Sequence, residues 1–458
     1  MSGKNNGTMA RDLTVGSVPR QLISFAAPLF FSGLLQTVYN MVDMVVVGRF
    51  VGAAGLSAVA VGGEVLTFLT FIAMGVSNAG QVIISQYLGA GRREKISKLI
   101  GTLFSFLLGC AVLLTAACLA LEGQILNWVN APPESLEYAR DYVGVCVWGL
   151  VFIYGYNLVS AILRGMGDSK RPFLFIAIAS AVNLVLDLAF IAGLGMGAFG
   201  AALATVLGQS LSFLCAIALL YRTKEQFGFD FKPASFRIDK EAFAALIKLG
   251  VPMVLQSAAI SFSKLFITSW VNTYGVIASA VTGIGNKLQT VTNVFAQALS
   301  TAGGSMIAQN IGAEKYERVP RIIGVSFALD SVVAMILSVV TLLFPRTVFG
   351  FFTQDEAVLD MAISYIPVAV LMYASCVLRP PMTALINGSG YARLNLAVAL
   401  LDGLLVRIGL AYVMGRLMGL GIYGFWYGNA LSSFVPFLIG GAYFLSGKWK
   451  TRRHIIQE

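Results

Sequence analysis

Charged and metal-binding side chains are scarce in this sequence. Only 12% of its 458 residues are charged and 57% are hydrophobic, whereas a soluble domain carries about 25% charged residues. The single histidine is His454, and the five cysteines lie in apolar runs without a CxxC pair. These absences argue against a soluble domain, a disulfide framework, a zinc site and histidine-based catalysis, and no cofactor is expected.

Long apolar runs recur from end to end of the chain and predict one polytopic membrane domain. Windows of about 19 residues place the spans near 22–48, 56–80, 97–121, 139–163, 172–193, 198–221, 245–272, 278–302, 321–345, 361–387, 394–415 and 422–445. The predicted fold class is therefore an all-α polytopic membrane protein with twelve transmembrane helices.

The positive charge is unevenly distributed among the loops. Most Lys and Arg lie in the two tails and the even-numbered loops, including GRREK at 91–95, GDSKR at 167–171 and KWKTRR at 448–453. The positive-inside rule therefore predicts that both termini are cytoplasmic. The net charge of +10 indicates contact with anionic membrane lipid and gives no support to nucleic-acid binding.

The chain contains an internal repeat. SQYLGAG at 85–91 returns as AQNIGAE at 308–314, and ILRGMGDSKRP at 162–172 returns as LINGSGYARLN at 385–395, both at an offset of 223. Pro28 matches Pro252 at an offset of 224. We therefore predict two parallel six-helix lobes of the kind found in transporters.

The predicted organisation follows from this repeat and from the charged segment between its copies. It is an N-terminal lobe over 1–220, a cytoplasmic linker over 221–241, and a C-terminal lobe over 242–458 that ends in a basic cytoplasmic tail.

An acid lies inside the first predicted span. An ionised carboxylate costs roughly 2.5 to 3.5 kcal/mol there by insertion measurements, so membrane spans rarely keep one without a use. Gln36, Asn40 and Asp43 have the spacing i, i+4, i+7 and share one helix face. The first span therefore carries a polar stripe.

The fifth span carries a second polar stripe, formed by Ser180, Asn183 and Asp187. Asp43 and Asp187 lie about 10 Å and about 7 Å beyond the midpoints of their spans at 1.5 Å per residue. Thr205, in the sixth span, also falls in the outer half. Three spans thus place polar groups at one level.

Two carboxyls in a poorly hydrated cavity suit proton or sodium coupling. Burial and mutual repulsion favour the protonated form of at least one of them. With sodium, the ligands would be Asp187, Asn183 and Thr205, whose oxygens can complete a shell. The plainer alternative is that Asp43 and Asp187 only brace helices through hydrogen bonds.

The second half has buried charges of both signs, at Lys264, Lys287, Asp330, Arg379, Asp402 and Arg407. We interpret them as ion pairs that hold the bundle together, with Asp402 pairing with Lys264 or Lys287. Glu64 in the second span has no obvious partner, and the roles of all seven residues stay open.

The chain resembles the multidrug and toxic compound extrusion (MATE) family, in particular its DinF-like prokaryotic branch. The resemblance covers all twelve spans. It is carried by the first span from Pro28 to Asp43 with VVVGRFVGAAGLSAVA after it, QYLGAG after span 2, LRGMGDSKRP after span 4, NLVLD in span 5 and the echoes in the second half.

The resemblance implies two lobes in a V, and cation-coupled export of amphipathic organic cations and other drugs by alternating access. It places the coupling site in the first lobe, at Asp43, Asn183, Asp187 and Thr205. It also implies that Tyr142, Asn157 and Gln36 are neighbours of this site, and that Ser160 replaces an Asn of some members. The residues predicted to line the substrate cavity are Gln36, Asn40, Tyr142, Asn157, Ser160 and Ser180. The Lys264 in span 7 stands where the other bacterial branch is expected to hold an acid.

The sequence thus predicts a monomeric antiporter in the cytoplasmic membrane of a bacterium or archaeon, with protons preferred as the coupling ion. Alternatives on the same fold are a sodium-coupled exporter of a narrower metabolite and a flippase of a lipid-linked precursor. A membrane enzyme lacks its reactive constellation here, and a receptor or structural protein would not explain repeated halves with buried acids.

Overall fold

A computed structural model describes residues 10–128 and 133–451, and every regular element in these two ranges is a helix. The first nine residues and the end of the predicted basic tail, with His454, lie outside the described residues.

The helices of the first half are named α1 to α6. They are α1 Val18–Phe50, α2 Ala53–Gly89, α3 Arg93–Ala120, α4 in two parts Leu136–Trp148 and Leu150–Gly165, α5 Lys170–Asp187 with a π-helical continuation Leu188–Gly193, and α6 Gly197–Arg222. Short helices at Glu122–Trp128, Pro133–Ser135, Lys224–Phe227 and Pro233–Phe236 lie between or after them.

The second half repeats this series as α7 to α12. They are α7 Lys240–Asn272, α8 Val276–Gly312, α9 Val319–Leu343, α10 Glu356–Gly388, α11 Ala392–Leu400 continuing through Leu401–Leu405, Val406–Tyr412 and Val413–Leu417, and α12 in two parts Ile422–Ser432 and Val435–Leu445. Short helices lie at Tyr316–Arg318, Pro345–Gly350 and Lys448–Thr451.

Most of these helices can cross a membrane. Ten in the described ranges are long and apolar enough, and the two parts of α4, bent by 47°, make an eleventh. The helix α8 is not among them, because Asn286, Lys287 and Gln289 interrupt its apolar sequence. Helices satisfy their own backbone hydrogen bonds in lipid, which is why apolar runs predict them so well.

The two halves correspond helix by helix. Helices α1 and α7 each have 33 residues and contain Pro28 and Pro252, and α2 and α8 each have 37. The repeated glycines also keep their structural roles. Gly167 and Gly390 have φ of 89° and 68°, a left-handed conformation that favours glycine. The internal repeat is therefore a structural repeat.

Two compact units divide the chain, and their boundaries differ from the predicted ones. Among the described residues, unit 1 comprises 10–12, 31–128 and 133–250, and unit 2 comprises 13–30 and 251–451. The start of α1 belongs to unit 2 because Leu22 and Phe25 pack in an apolar cluster with residues of α8, α9 and α10.

The predicted linker 221–241 lies within unit 1 and packs on α3. Phe229 stacks on Phe104 with ring centroids 6.1 Å apart, and the Asp239 backbone N–H donates to Thr102 Oγ1 at 3.0 Å. Gly101 makes this packing possible, since a Cβ there would lie 1.9 Å from the carbonyl oxygen of Ser235. The segment is a folded part of unit 1.

Candidate ion-coupling site

Two acids of unit 1 are almost completely removed from solvent. Asp43 on α1 is 6% exposed and Asp187 at the end of the α-helical part of α5 is 1% exposed. The Oδ1 atom of each carboxyl has no hydrogen-bond partner in the described part of the chain. The two carboxyls are close enough to repel each other electrostatically. Buried polar atoms without partners are uncommon and call for an explanation.

Asp187 lies where the backbone of α5 changes register. The π-helix Leu188–Gly193 begins at the next residue, and such insertions are frequent at functional sites. One turn earlier, Asn183 packs against α6 near Gly208. A Cβ at Gly208 would lie 3.3 Å from the Cβ of Asn183 and 3.0 Å from the carbonyl oxygen of Ala179. The glycine therefore lets α6 approach α5 beside Asn183.

The amide of Asn183 connects Asp187 to Thr205. With Asp187 ionised, the amide nitrogen donates to Asp187 Oδ2 at 3.2 Å and the amide oxygen accepts from the Thr205 backbone N–H at 3.2 Å. In the opposite orientation the amide nitrogen donates to Thr205 Oγ1 at 3.4 Å, and the amide oxygen faces Asp187. In that second orientation the amide nitrogen also faces the backbone N–H of Thr205, so the first orientation is the one that satisfies both ends of the amide.

Two tyrosines and a cysteine surround the acids. Tyr39, one turn before Asp43 on α1, is within electrostatic range of both acids. Tyr142 and Cys146 on α4 are buried, are close enough to hydrogen-bond each other, and lie within range of Asp43. Of these three residues, sequence reasoning included only Tyr142. Tyr39 has the i, i+4 spacing to Asp43 that could have identified it, whereas Cys146 has no comparable signal.

Apolar side chains are buried one turn beyond each acid. Val46 and Val47 follow Asp43 by one turn, Ile191 follows Asp187 by one turn, and these three form a buried cluster with alanines of α6. The two helices that carry the acids therefore pack with α6 next to the acid pair.

The other predicted site residues have different surroundings. Gln36 and Asn40 are exposed on α1, so the predicted stripe on that helix divides between a buried acid and two exposed amides. Asn157 donates to the carbonyl of Ile153 in its own helix at 2.8 Å. Ser160 is fully buried and Ser180 is 7% exposed, one turn before Asn183.

Unit 2 has buried charges, with partners other than those predicted. Asp402 binds Arg407 Nη2 at 2.6 Å and Arg379 Nη2 at 2.9 Å. The prediction of buried ion pairs is confirmed for Asp402 with Arg379 and Arg407, but the prediction that Asp402 pairs with Lys264 or Lys287 is wrong. Arg407 reaches Asp402 because it lies five residues away, on the same helix.

The remaining charged residues are either exposed or isolated. Glu64 and Lys287 are exposed, so neither is a buried charge. Asp330 on α9 is 3% exposed, and its Oδ2 atom lacks a hydrogen-bond partner among the described residues.

Comparison with known proteins identifies the family. A family model described as MatE matches residues 28–189 and again 252–413, so that the two matches begin 224 residues apart. The chain belongs to the MATE family. The second match also explains the internal repeat, because each half of a MATE chain is one copy of the same domain.

Two relatives agree with this family assignment. The chain is 26% identical over 444 residues to "Probable multidrug resistance protein YoeA" of Bacillus subtilis (strain 168), covering 95% of each chain. It is 34% identical over 313 residues to "Probable multidrug resistance protein YpnP" of the same organism, covering 68% of this chain and 69% of the relative.

The structural comparison shows the fold. A structure described as the outward-facing conformation of a multidrug resistance MATE family transporter of the MOP superfamily superimposes with a TM-score of 0.89. It is 22% identical, and the match covers 98% of this chain and 100% of that one. The predicted twelve-helix fold is confirmed, and the chain is a multi-pass membrane transporter of bacterial type.

Proposed function

We propose that this MATE transporter exports amphipathic organic cations in exchange for protons, by alternating access, across the cytoplasmic membrane of a bacterium or archaeon. The observation that carries the proposal is the buried Asp43–Asp187 pair, with one unpartnered oxygen on each carboxyl within the described ranges. Acids inside membrane segments mark ion pathways by default.

The pair favours a proton as the coupling ion for two reasons. The carboxyls repel each other, and no basic group of the described residues acts on either one. Two carboxylates in an apolar site cannot both stay ionised at low cost, so the pair takes up a proton when one is available.

Asn183 links the charge of Asp187 to α6. An ionised Asp187 attracts the amide nitrogen, whereas a protonated Asp187 donates to the amide oxygen and turns the amide nitrogen towards Thr205 Oγ1. Protonation of Asp187 therefore changes which atoms of α5 and α6 are hydrogen-bonded. A change of this kind can bias a two-state equilibrium between conformations.

The exchange cycle follows from competition for one negative charge. In the outward-facing state, protons neutralise Asp43 and Asp187, the hold on a cationic drug weakens, and the drug leaves. The protonated chain turns inward, releases its protons to the less acidic cytosol and binds the next cation. By linkage, proton and drug must weaken each other's binding equally.

The proposal that the cargo is a cationic drug rests on the negative charge of the site and on the names of the relatives. The acids of unit 1 attract cations, and the relatives in Bacillus subtilis are named probable multidrug resistance proteins. The excess of Lys and Arg in the tails and even-numbered loops supports cytoplasmic termini. One chain contains both six-helix halves, which supports a monomer as the working unit.

A sodium-coupled cycle is the second candidate. Asp187, Asn183 and Thr205 bring a carboxylate, an amide oxygen and a hydroxyl oxygen to one place, and sodium prefers oxygen ligands of this kind. Sodium at Asp187 would need the orientation in which the amide oxygen of Asn183 faces the carboxylate.

The test is ethidium efflux from reconstituted vesicles under an imposed pH gradient, and then under a sodium gradient. Wild type is compared with Asp43→Asn and with Asp141→Asn, which removes an exposed acid next to Tyr142. We expect pH-driven efflux in the wild type and in Asp141→Asn, and none in Asp43→Asn.

Other outcomes would redirect the proposal. Efflux driven by sodium alone would make Asp187, Asn183 and Thr205 sodium ligands and would contradict proton coupling. If neither gradient moves ethidium although the protein inserts normally, the multidrug proposal is wrong, and a single metabolite or a lipid-linked precursor becomes the cargo to test.

A further inference from the structure

Unit 2 contains a small cavity bounded by α7, α8, α10 and α12. It has room for about one water-sized group. The cavity is therefore large enough for one small ion or one carboxylate group. Its polar lining residues include Lys264, Thr268, Thr282, Asn286, Tyr365 and Asn429.

Some polar atoms of this lining are free to donate a hydrogen bond, whereas Thr282 Oγ1 already donates to the Ala278 carbonyl and accepts from Trp426 Nε1. The ammonium of Lys264 is a donor only, and in the described part of the chain it makes no hydrogen bond or ion pair. Asn429 already uses Oδ1 to accept from Arg407 Nη1 at 2.7 Å, which leaves its amide nitrogen for a ligand. The part of the chain that the structure describes places no Asp or Glu in the cavity wall.

The surroundings add further positive charge. Lys264 lies within electrostatic range of Arg407 and Arg379, which repel it, and of Asp402, which attracts it. Asp402 is already bound to both arginines. These four groups carry three positive charges against one negative charge, and an ionised Asp330 on α9 would still leave one positive charge in excess. Uncompensated charge is costly inside a membrane segment.

The two units differ in the sign of their buried polar groups. Unit 1 buries the acids Asp43 and Asp187, whereas unit 2 buries Arg407 beside Asn429. Where unit 1 pairs an amide with a hydroxyl beside an acid, unit 2 pairs a guanidinium with an amide beside a cavity that Lys264 lines.

We propose that this cavity is a binding site for a monovalent anionic group, either a free halide or the carboxylate of a small organic molecule. Lys264 supplies the charge, and the amides of Asn286 and Asn429 supply further donors. The charge balance, the donor lining and the volume all lead to the same ligand class. The proposal does not depend on proton coupling in unit 1, because binding can be measured without transport.

The experiment measures chloride binding to the purified full-length protein in detergent. Chloride replaces methanesulfonate at constant sodium and ionic strength, and the thermal unfolding midpoint is followed. A ligand that binds only the folded protein raises the midpoint with a saturable dependence. We expect saturation in wild type and at least about a tenfold higher half-saturating concentration in Lys264→Gln, since a hydrogen bond to a charged group accounts for that much.

The matched control is Lys287→Gln, which removes an exposed lysine next to Asn286 and should respond to chloride as wild type does. Iodide supplies a second readout, because Trp426 lines the cavity and bound iodide quenches tryptophan fluorescence. Saturable quenching should disappear in Trp426→Phe, which keeps the test decisive if Lys264→Gln does not fold.

Benzoate, compared with benzamide, distinguishes the two sources of the anionic group. If chloride has no effect but benzoate raises the midpoint of wild type and not of Lys264→Gln, the site takes the carboxylate of an organic molecule. If neither anion acts, or if Lys264→Gln and Lys287→Gln respond equally, the cavity is not an anion site.

Discussion

The contact between Gly62 and Tyr142 predicts that one methyl group will disturb the acid site. A Cβ at Gly62 on α2 would lie 2.4 Å from Cδ1 and 3.0 Å from Cε1 of the buried Tyr142 ring. Carbon atoms attract best at about 3.5–4.0 Å, so Gly62→Ala must displace the ring by about 1 Å. Tyr142 is within electrostatic range of Asp43, and the displacement therefore reaches the carboxyl pair.

The expected loss of stability can be worked out by comparing Gly62→Ala with Gly63→Ala. Overpacking a buried site costs about 1–3 kcal/mol, whereas replacing a helical glycine by alanine gains about 1 kcal/mol. Gly63→Ala has the same helix context, but its Cβ would meet nothing within 4 Å. The propensity gain cancels in the comparison, so Gly62→Ala should be less stable than Gly63→Ala by about 1–3 kcal/mol.

A third variant separates stability from coupling. A Cβ at Gly285 in unit 2 would lie 2.4 Å from Cε1 of Tyr365, the same clash at the equivalent position of the repeat. Thermal unfolding and pH-driven ethidium efflux are measured for all three variants. Gly62→Ala and Gly285→Ala should both lower the unfolding midpoint, but only Gly62→Ala should change the dependence of efflux on outside pH.

Two results would refute this reasoning. If Gly62→Ala unfolds at the same temperature as Gly63→Ala, the Tyr142 ring has space that the structure does not show. If Gly62→Ala and Gly285→Ala change the pH dependence equally, the effect is general loss of stability and Tyr142 has no special relation to Asp43.

Two further predictions concern packing and buried charge. Gly101→Ala should be less stable than Gly109→Ala, on the same helix, by about 1–3 kcal/mol in chemical unfolding. The reason is that a Cβ at Gly101 would lie 1.9 Å from the Ser235 carbonyl oxygen, whereas a Cβ at Gly109 would meet nothing within 4 Å. Arg407→Met should lower the free energy of unfolding by about 3–5 kcal/mol, because Asp402 loses one of its two arginine partners. Adding Asp402→Asn should restore part of this stability. A double variant no more stable than Arg407→Met would contradict the ion-pair explanation.

The fold was largely predictable because the membrane imposes one solution on apolar sequence. Each apolar run must satisfy its backbone internally and becomes a helix, so the twelve segments could be read from hydropathy. The hydropathy signal is weaker for α8, where Asn286, Lys287 and Gln289 lie, and the repeat supports the same assignment. Gly167 and Gly390 could be matched because their backbone conformation requires glycine.

The polar residues of the acid site could be predicted from the sequence, but the residues around them could not. Asp43, Asn183, Asp187 and Thr205 could be named because polar groups are rare in membrane spans, and the structure brings them together. Their role in coupling stays a prediction. Tyr39 was not named, because a tyrosine on an apolar helix does not differ by type from packing or interfacial residues.

The sequence by itself determined the helices, the repeat and the positions of the intramembrane acids, since each follows from local composition and spacing along one chain. Only the tertiary structure decided which of several cations Asp402 binds, which apolar residues pack together one turn beyond Asp43, and that the linker folds onto α3. Those outcomes depend on which helix faces meet and on the side-chain conformations that result, and neither leaves a periodic pattern in the sequence.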